Sequence, residues 1–184
     1  MERIPQTLEM VDVLRRNCHI GKHRHFYASV RTNHLHIWLG VPSVLISVAL
    51  GSTLFTLASK ELPPEIKWVG AFLALVAASL GAMQTFFNFQ KISESHRTVA
   101  NQYLGIERQC NLLIAAYCDN LADLVTVSKR LEELNSLYHE VNKAAEGLRT
   151  NDKDYAEARK RLTELQAMEA SCGMLLAKFR ATSS

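Results

Sequence analysis

Residues 37–59 read Ile37-Trp-Leu-Gly-Val-Pro-Ser-Val-Leu-Ile-Ser-Val-Ala-Leu-Gly-Ser-Thr-Leu-Phe-Thr-Leu-Ala-Ser59. Residues 68–90 read Trp68-Val-Gly-Ala-Phe-Leu-Ala-Leu-Val-Ala-Ala-Ser-Leu-Gly-Ala-Met-Gln-Thr-Phe-Phe-Asn-Phe-Gln90. Neither run contains a charged side chain. At about 1.5 Å of rise per helical residue, each is long enough to cross the roughly 30 Å hydrocarbon core of a bilayer. The first holds eleven Leu, Ile, Val or Phe residues and the second nine. At about −0.3 to −0.6 kcal/mol apiece near the bilayer centre, these outweigh the interspersed Gly, Ser, Gln and Asn. Two buried helices of a soluble protein are the rival reading. Two charge-free runs of full bilayer length argue against it.

Working outward, the segment Lys60-Glu-Leu-Pro-Pro-Glu-Ile-Lys67 joins the runs. Its two prolines stop a helix and set a turn, so the spans are predicted to form an antiparallel hairpin. Between Val13 and Lys60 there is no Asp or Glu, while Arg15, Arg16, Lys22, Arg24 and Arg31 precede the first span. The loop balances two lysines against two glutamates. Basic residues close to spans stay on the cytoplasmic side, which puts both termini in the cytoplasm. The first span begins too far from the N-terminus, after too long a basic segment, for a cleaved signal peptide. A net charge of +3 gives no case for nucleic-acid binding.

Small residues recur at helical spacing in both spans: Ser43, Ser47 and Gly51 in the first, Gly70, Ala74, Ala78 and Ala82 in the second. Such stripes let membrane helices approach closely. They either pack the hairpin against itself or join subunits into a homo-oligomer. Gln84 and Asn88, with Thr85 beside them, place polar groups near the cytoplasmic end of the second span. Polar groups at that depth need a protein partner or water. They serve either interhelical hydrogen bonding or the lining of a pore.

After Gln90 the pattern becomes amphipathic. Tyr103, Ile106, Cys110, Leu113 and Tyr117 alternate four and three. A slip through Leu121, Leu124 and Val127 follows, and the rhythm resumes at Leu131, Leu134, Tyr138, Val141, Ala145 and Leu148. This predicts a coiled-coil seam with a stutter. Gly147–Asn151 breaks the run, and Asn151 or Asp152 can cap a further helix striped by Tyr155, Ala158, Leu162, Leu165, Cys172 and Phe179. That helix should fold back antiparallel; the seam is then satisfied within one chain or, since a two-helix hairpin buries little, shared with other subunits. Ile4, Leu8, Val11, Leu14 and Cys18 mark an amphipathic N-terminal helix, placed on the membrane surface or on the stalk. The fold class is therefore all-α: a two-span transmembrane hairpin with a long cytoplasmic coiled-coil helical hairpin. Three segments follow: a basic amphipathic one (1–34), the membrane hairpin (35–90) and the stalk (91–184).

Candidate chemistry is sparse. The four cysteines lack zinc or disulfide spacing and read as small apolar fillers. Five histidines lie between His19 and His36, and His19 and His23 have the i, i+4 spacing of a shared metal. No carboxylate or second cysteine nearby in sequence completes a shell, so no metal and no cofactor is expected. Lys22, Arg24 and Arg31 instead suit anionic headgroups, and the histidines could respond to pH. No phosphate-binding glycine loop, nucleophile elbow or acid–base pair is evident, so catalysis is not expected.

The phrases His25-Phe-Tyr27, His36-Ile-Trp-Leu-Gly-Val-Pro42 and Gln84-Thr-Phe-Phe-Asn-Phe89, followed by His96 and Tyr103, resemble the SLATT family over residues 15–150. The resemblance implies a two-span effector of bacterial conflict systems, including antiphage immunity. Such an effector assembles in the inner membrane and permeabilises it when an upstream sensor signals. The expected partners are the lipid bilayer, further copies of the chain and a separately encoded sensor of nucleotidyltransferase or reverse-transcriptase type. Alternatively the ligand binds the stalk directly, or the protein is a non-conducting anchor that recruits a partner through its stalk.

Overall fold

The computed structural model describes residues 5–57 and 64–182, with side chains described for 5–52 and 65–171. Ile4, the proline turn at Lys60–Pro63 and the side chains of Cys172 and Phe179 lie outside these. Among the described residues the chain is all-helical: α1 (Gln6–Leu57), α2 (Pro64–Phe87), α3 (Phe89–Cys118), α4 (Leu124–Ala145) and α5 (Asp152–Thr182). It divides into two compact units. One is Met1–Ala28 with Ser95–Ser184; the other is Ser29–Glu94. Helices α1 and α3 contribute to both.

The unit Ser29–Glu94 is the pair of predicted spans. Its register is legible in the contacts. Gln84 reaches the His36 carbonyl, Ser43 donates to the Ala77 carbonyl, and Gly70 faces Leu50. Each step of seven up α1 is a step of seven down α2, so the hairpin is antiparallel. Its remaining surface is apolar and open: Trp38, Val44, Leu45, Val48, Trp68, Phe72, Leu75 and Phe86 are all exposed. Water would penalise so continuous an apolar surface, whereas lipid solvates it. Trp38 and Trp68 stand near opposite ends of the hairpin, where aromatic rings mark the two interfaces of a membrane. The rival soluble reading needed these faces buried. They are not, and both helices are long and apolar enough to span.

The other unit is a four-helix arrangement of the N-terminal part of α1 with α3, α4 and α5. Val11, Leu14 and Cys18 of α1 meet Val99, Tyr103, Ile106, Cys110 and Leu113 of α3, and Val127, Leu131, Leu134 and Val141 of α4, in one core. The N-terminal stripe thus packs on the stalk helices. Pro5 precedes α1 and its carbonyl accepts from the Leu8 amide at 3.0 Å, while Glu9 complements the helix dipole.

The expected stutter is instead a chain reversal. Asn120 takes φ 56°, and the Leu121 amide closes onto the Ala116 carbonyl at 2.8 Å. Asp123 then caps α4 by accepting from the Thr126 amide at 2.9 Å. Leu121 is 81% exposed and leaves the seam, and Val127 rejoins it in the core. α4 folds back along α3, pairing Tyr103 with Asn142 and Gln109 with Arg130. The seam expected to seek other subunits is filled within one chain. Asn151 is the cap of α5: its side chain accepts from the Asp154 amide at 2.8 Å, and Asp154 accepts from the Asn151 amide at 3.0 Å, a reciprocal capping box.

Candidate functional site

The polar seam of the membrane hairpin starts from Gly40. A Cβ at this position would collide with the Gln84 side chain, so the missing side chain is what admits an amide between the helices. Gln84 Nε2 donates to the His36 carbonyl at 2.9 Å and lies 3.4 Å from His36 Nδ1. Towards the same end, the Ser29 and Ser93 hydroxyls meet at 3.1 Å, and Ser93 also donates to the Ser29 carbonyl at 2.9 Å. Unsatisfied polar groups are costly in hydrocarbon, and here they satisfy one another across the hairpin.

The other polar positions separate by face. Thr85 and Asn88 are exposed, Thr85 returning its hydroxyl to the Gly81 carbonyl at 3.0 Å. Asn88 sits between α2 and α3 with φ 44°, a left-handed conformation that asparagine tolerates better than most residues. Of the small-residue stripes, Ser43 and Gly70 face the partner helix within the hairpin. Ser47, Gly51, Ala74, Ala78 and Ala82 are exposed. Ser47 bonds back to the Ser43 carbonyl at 2.8 Å, and nothing lies within 4 Å of a Cβ built on Gly51. The inner face of α2 is instead Gly70, Ala77, Gly81 and Gln84; Ala77 is buried.

In the four-helix unit the histidines acquire partners from α3. His19 Nδ1 donates to Glu107 Oε1 at 2.7 Å, and Lys22 Nζ approaches Glu107 Oε2 at 2.7 Å. Burial raises the Glu107 pKa, but the bonds and charges of Lys22 and His19 outweigh it and hold the carboxyl below its usual range. His19 Nε2 is buried without a hydrogen-bond partner among the described residues. His23 packs on His19 with ring centres 4.6 Å apart. Burial, then Lys22 and His19, push its pKa down to about 4. His25 and His96 meet through their Nδ1 atoms at 2.9 Å. Gly21 admits the Tyr103 ring, which stacks on His25 at 5.9 Å and donates its hydroxyl to Asn142 at 2.6 Å.

Sequence separation hid these groups. Glu107 lies 88 positions from His19, and His96 lies 71 from His25. The one available clue was that His96 and Glu107 fall on the α3 face of Val99, Tyr103 and Ile106. Lys22, read as facing headgroups, is engaged by Glu107. Arg24 bonds to Thr150 and lies over the Tyr155 ring at 5.9 Å; Arg31 is half-buried. Among the described residues no group of three or more His, Cys, Asp or Glu side chains is placed to hold a metal ion. Cys18 and Cys110 are buried and Cys118 is exposed, all as free thiols. Burial drives the Cys18 thiol far up and Cys110 to about 11, which suits inert core fillers. A cavity of about 210 Å³ bordered by Asn17, Arg24, Tyr138 and Asn142 falls below the roughly 300–1,000 Å³ usual for small-molecule sites.

No curated protein and no solved structure shows significant similarity to the chain. A family profile does match, over residues 22–172, covering both spans and most of the helical unit. With its two apolar helices paired as an antiparallel hairpin, the chain belongs to family 4 of the SMODS and SLOG-associating 2TM effector domains.

Proposed function

We propose that this protein is an oligomeric pore-forming effector of the bacterial inner membrane. A separately encoded sensor, or the nucleotide signal that sensor produces, triggers it to permeabilise the cell. Both termini lie in the cytoplasm. The exposed small-residue stripe Ala74, Ala78 and Ala82 supplies the contacts between copies, and Thr85 and Asn88 face the shared lumen with Gln84 at its edge. One observation supports this reading: polar Thr85 and Asn88 stand exposed together at one end of a hairpin whose exposed surface is mostly apolar. Exposed polar groups at membrane depth call for water or a second copy. Gln84, held by the His36 carbonyl, joins the lumen when that bond parts.

The test is ion leakage from liposomes containing the full-length protein, compared with Gln84→Leu combined with Asn88→Leu. Leakage by the parent, abolished in the variant at equal insertion, supports the pore. Equal leakage from both rules out this lining. A non-conducting anchor is the second reading, favoured by the exposed Leu121 and Val125 at the α3–α4 turn. It predicts that partner binding survives while permeability never changes.

A further inference from the structure

Among the described residues, the contact between His25 and His96 has a property that no other pair shares. Both rings are buried, at 5% and 1% exposure, and they meet nitrogen to nitrogen, Nδ1 to Nδ1, at 2.9 Å. That bond requires one Nδ1 to carry a proton and the other to be bare. The pair therefore holds one bridging proton in its neutral state. The first proton taken up goes to the outer Nε2 of the donor ring and leaves the Nδ1 bond in place; a further one on the bare Nδ1 sets N–H against N–H and puts two cations in a buried site, which drives the rings apart. Since His25 belongs to α1 and His96 to α3, separating the rings means parting those helices.

We propose that the His25–His96 pair is a proton-operated latch between α1 and α3, closed when the pair is neutral and released when the surrounding solution acidifies. The groups facing the pair set its threshold. Arg24, next in sequence, opposes protonation, and Asp154 from α5 favours it. Tyr103 of α3 covers the His25 ring and Tyr138 of α4 packs on Tyr103, so these two phenols shield the pair. Burial first, then the neighbouring His96 and Arg24, lower the His25 pKa to about 4. The latched state thus excludes a proton that the released state accepts below the ordinary histidine value of about 6.5. By linkage, release grows up to about tenfold per pH unit per proton as pH falls from about 6.5.

The experiment uses the full chain in lipid nanodiscs and does not depend on ion conduction. Ala100 is fully buried one turn from His96, so Ala100→Cys introduces a thiol that reacts only when α1 and α3 part. Labelling with a disulfide reagent active in acid, read cysteine by cysteine by mass spectrometry, compares this thiol with exposed Cys118 as an internal reference. The ratio of the two rates should rise several-fold between pH 7 and pH 5. His25→Asn with His96→Asn keeps hydrogen-bonding atoms near the Nδ1 positions and removes the titration, so the ratio should become flat. His23→Gln should keep the parent's slope. A flat ratio in the parent, or an unchanged slope in the double variant, overturns the latch. If the double variant does not fold, ¹⁵N resonances of the histidine rings in the unmodified chain decide. A shared proton present at pH 7 whose signal weakens as both rings gain protons together in acid supports the latch, whereas a shared proton unchanged down to about pH 4, or two rings titrating independently near 6.5, refutes it.

Discussion

Two glycines in opposite surroundings show how much a single Cβ can decide. A Cβ on Gly21 would stand 3.0–3.1 Å from three atoms of the Tyr103 ring, whereas one on Gly105 meets nothing within 4 Å. Tyr103 cannot step aside, because it is stacked on His25 and bonded to Asn142. Gly21→Ala is therefore expected to cost about 1–3 kcal/mol of overpacking, partly offset by alanine's advantage of roughly 1 kcal/mol in a helix. Gly105→Ala should gain that advantage without the penalty. Denaturant melts of the two variants in the same detergent should move in opposite directions. Glu107 poses the corresponding electrostatic question. Glu107→Gln leaves Lys22 with a neutral partner, at a cost near the lower end of the roughly 3–5 kcal/mol for breaking a buried pair, since Lys22 keeps some solvent contact. The folded state holds the Glu107 carboxyl below its usual value of 4.5. Its contribution is thus present above about pH 4.5 and is lost as pH falls through the folded value. In the Gln variant that acid-dependent loss should disappear from a melt series run between pH 6 and pH 3. None of these pairings was legible from local spacing, because each joins residues brought together only when α3 packs along α1 and α4.

At the scale of the elements, periodicity identified which residues are buried and missed where the chain turns. The seam positions Tyr103, Ile106, Cys110 and Leu113, and then Leu131, Leu134 and Val141, are all buried in the core. The residues between them were read as a stutter, because a slip in a four-three rhythm looks alike whether a helix continues or reverses. Backbone chemistry separates the two cases: Asn120 adopts a left-handed conformation and Asp123 caps the next helix. Asn120→Gly should leave stability nearly unchanged, since glycine enters that region freely. Asn120→Val should cost about 1–2 kcal/mol. If thermal melts of the two variants coincide, the reversal does not depend on this residue's conformation. The spans show the same division. Hydropathy located both helices, but which small residues face inward depended on the register, and that follows from pairs such as Gln84 with His36 and Ser43 with Ala77.

For the whole molecule, the proposed orientation of the spans rests on charge rather than packing. Lys22, Arg24 and Arg31 precede the first span and Lys91 and Arg97 follow the second, while the connecting segment carries Lys60 and Lys67 against Glu61 and Glu65. Basic residues near span ends resist translocation and acidic ones count for little, so the proposed orientation, with both flanks in the cytoplasm, is the one this distribution favours. A fluorescent protein fused after Ser184 should therefore mature and emit, and alkaline phosphatase fused there should stay inactive. The argument makes a sharper demand as well. Glu61→Lys with Glu65→Lys raises the loop from two basic residues to four, and should yield a mixed population in which part of the phosphatase fusion becomes active. Full retention of the original orientation would mean that the helical unit folds before insertion and anchors the topology itself. The four-helix core closing around α1 would then outrank charge in placing this protein in its membrane.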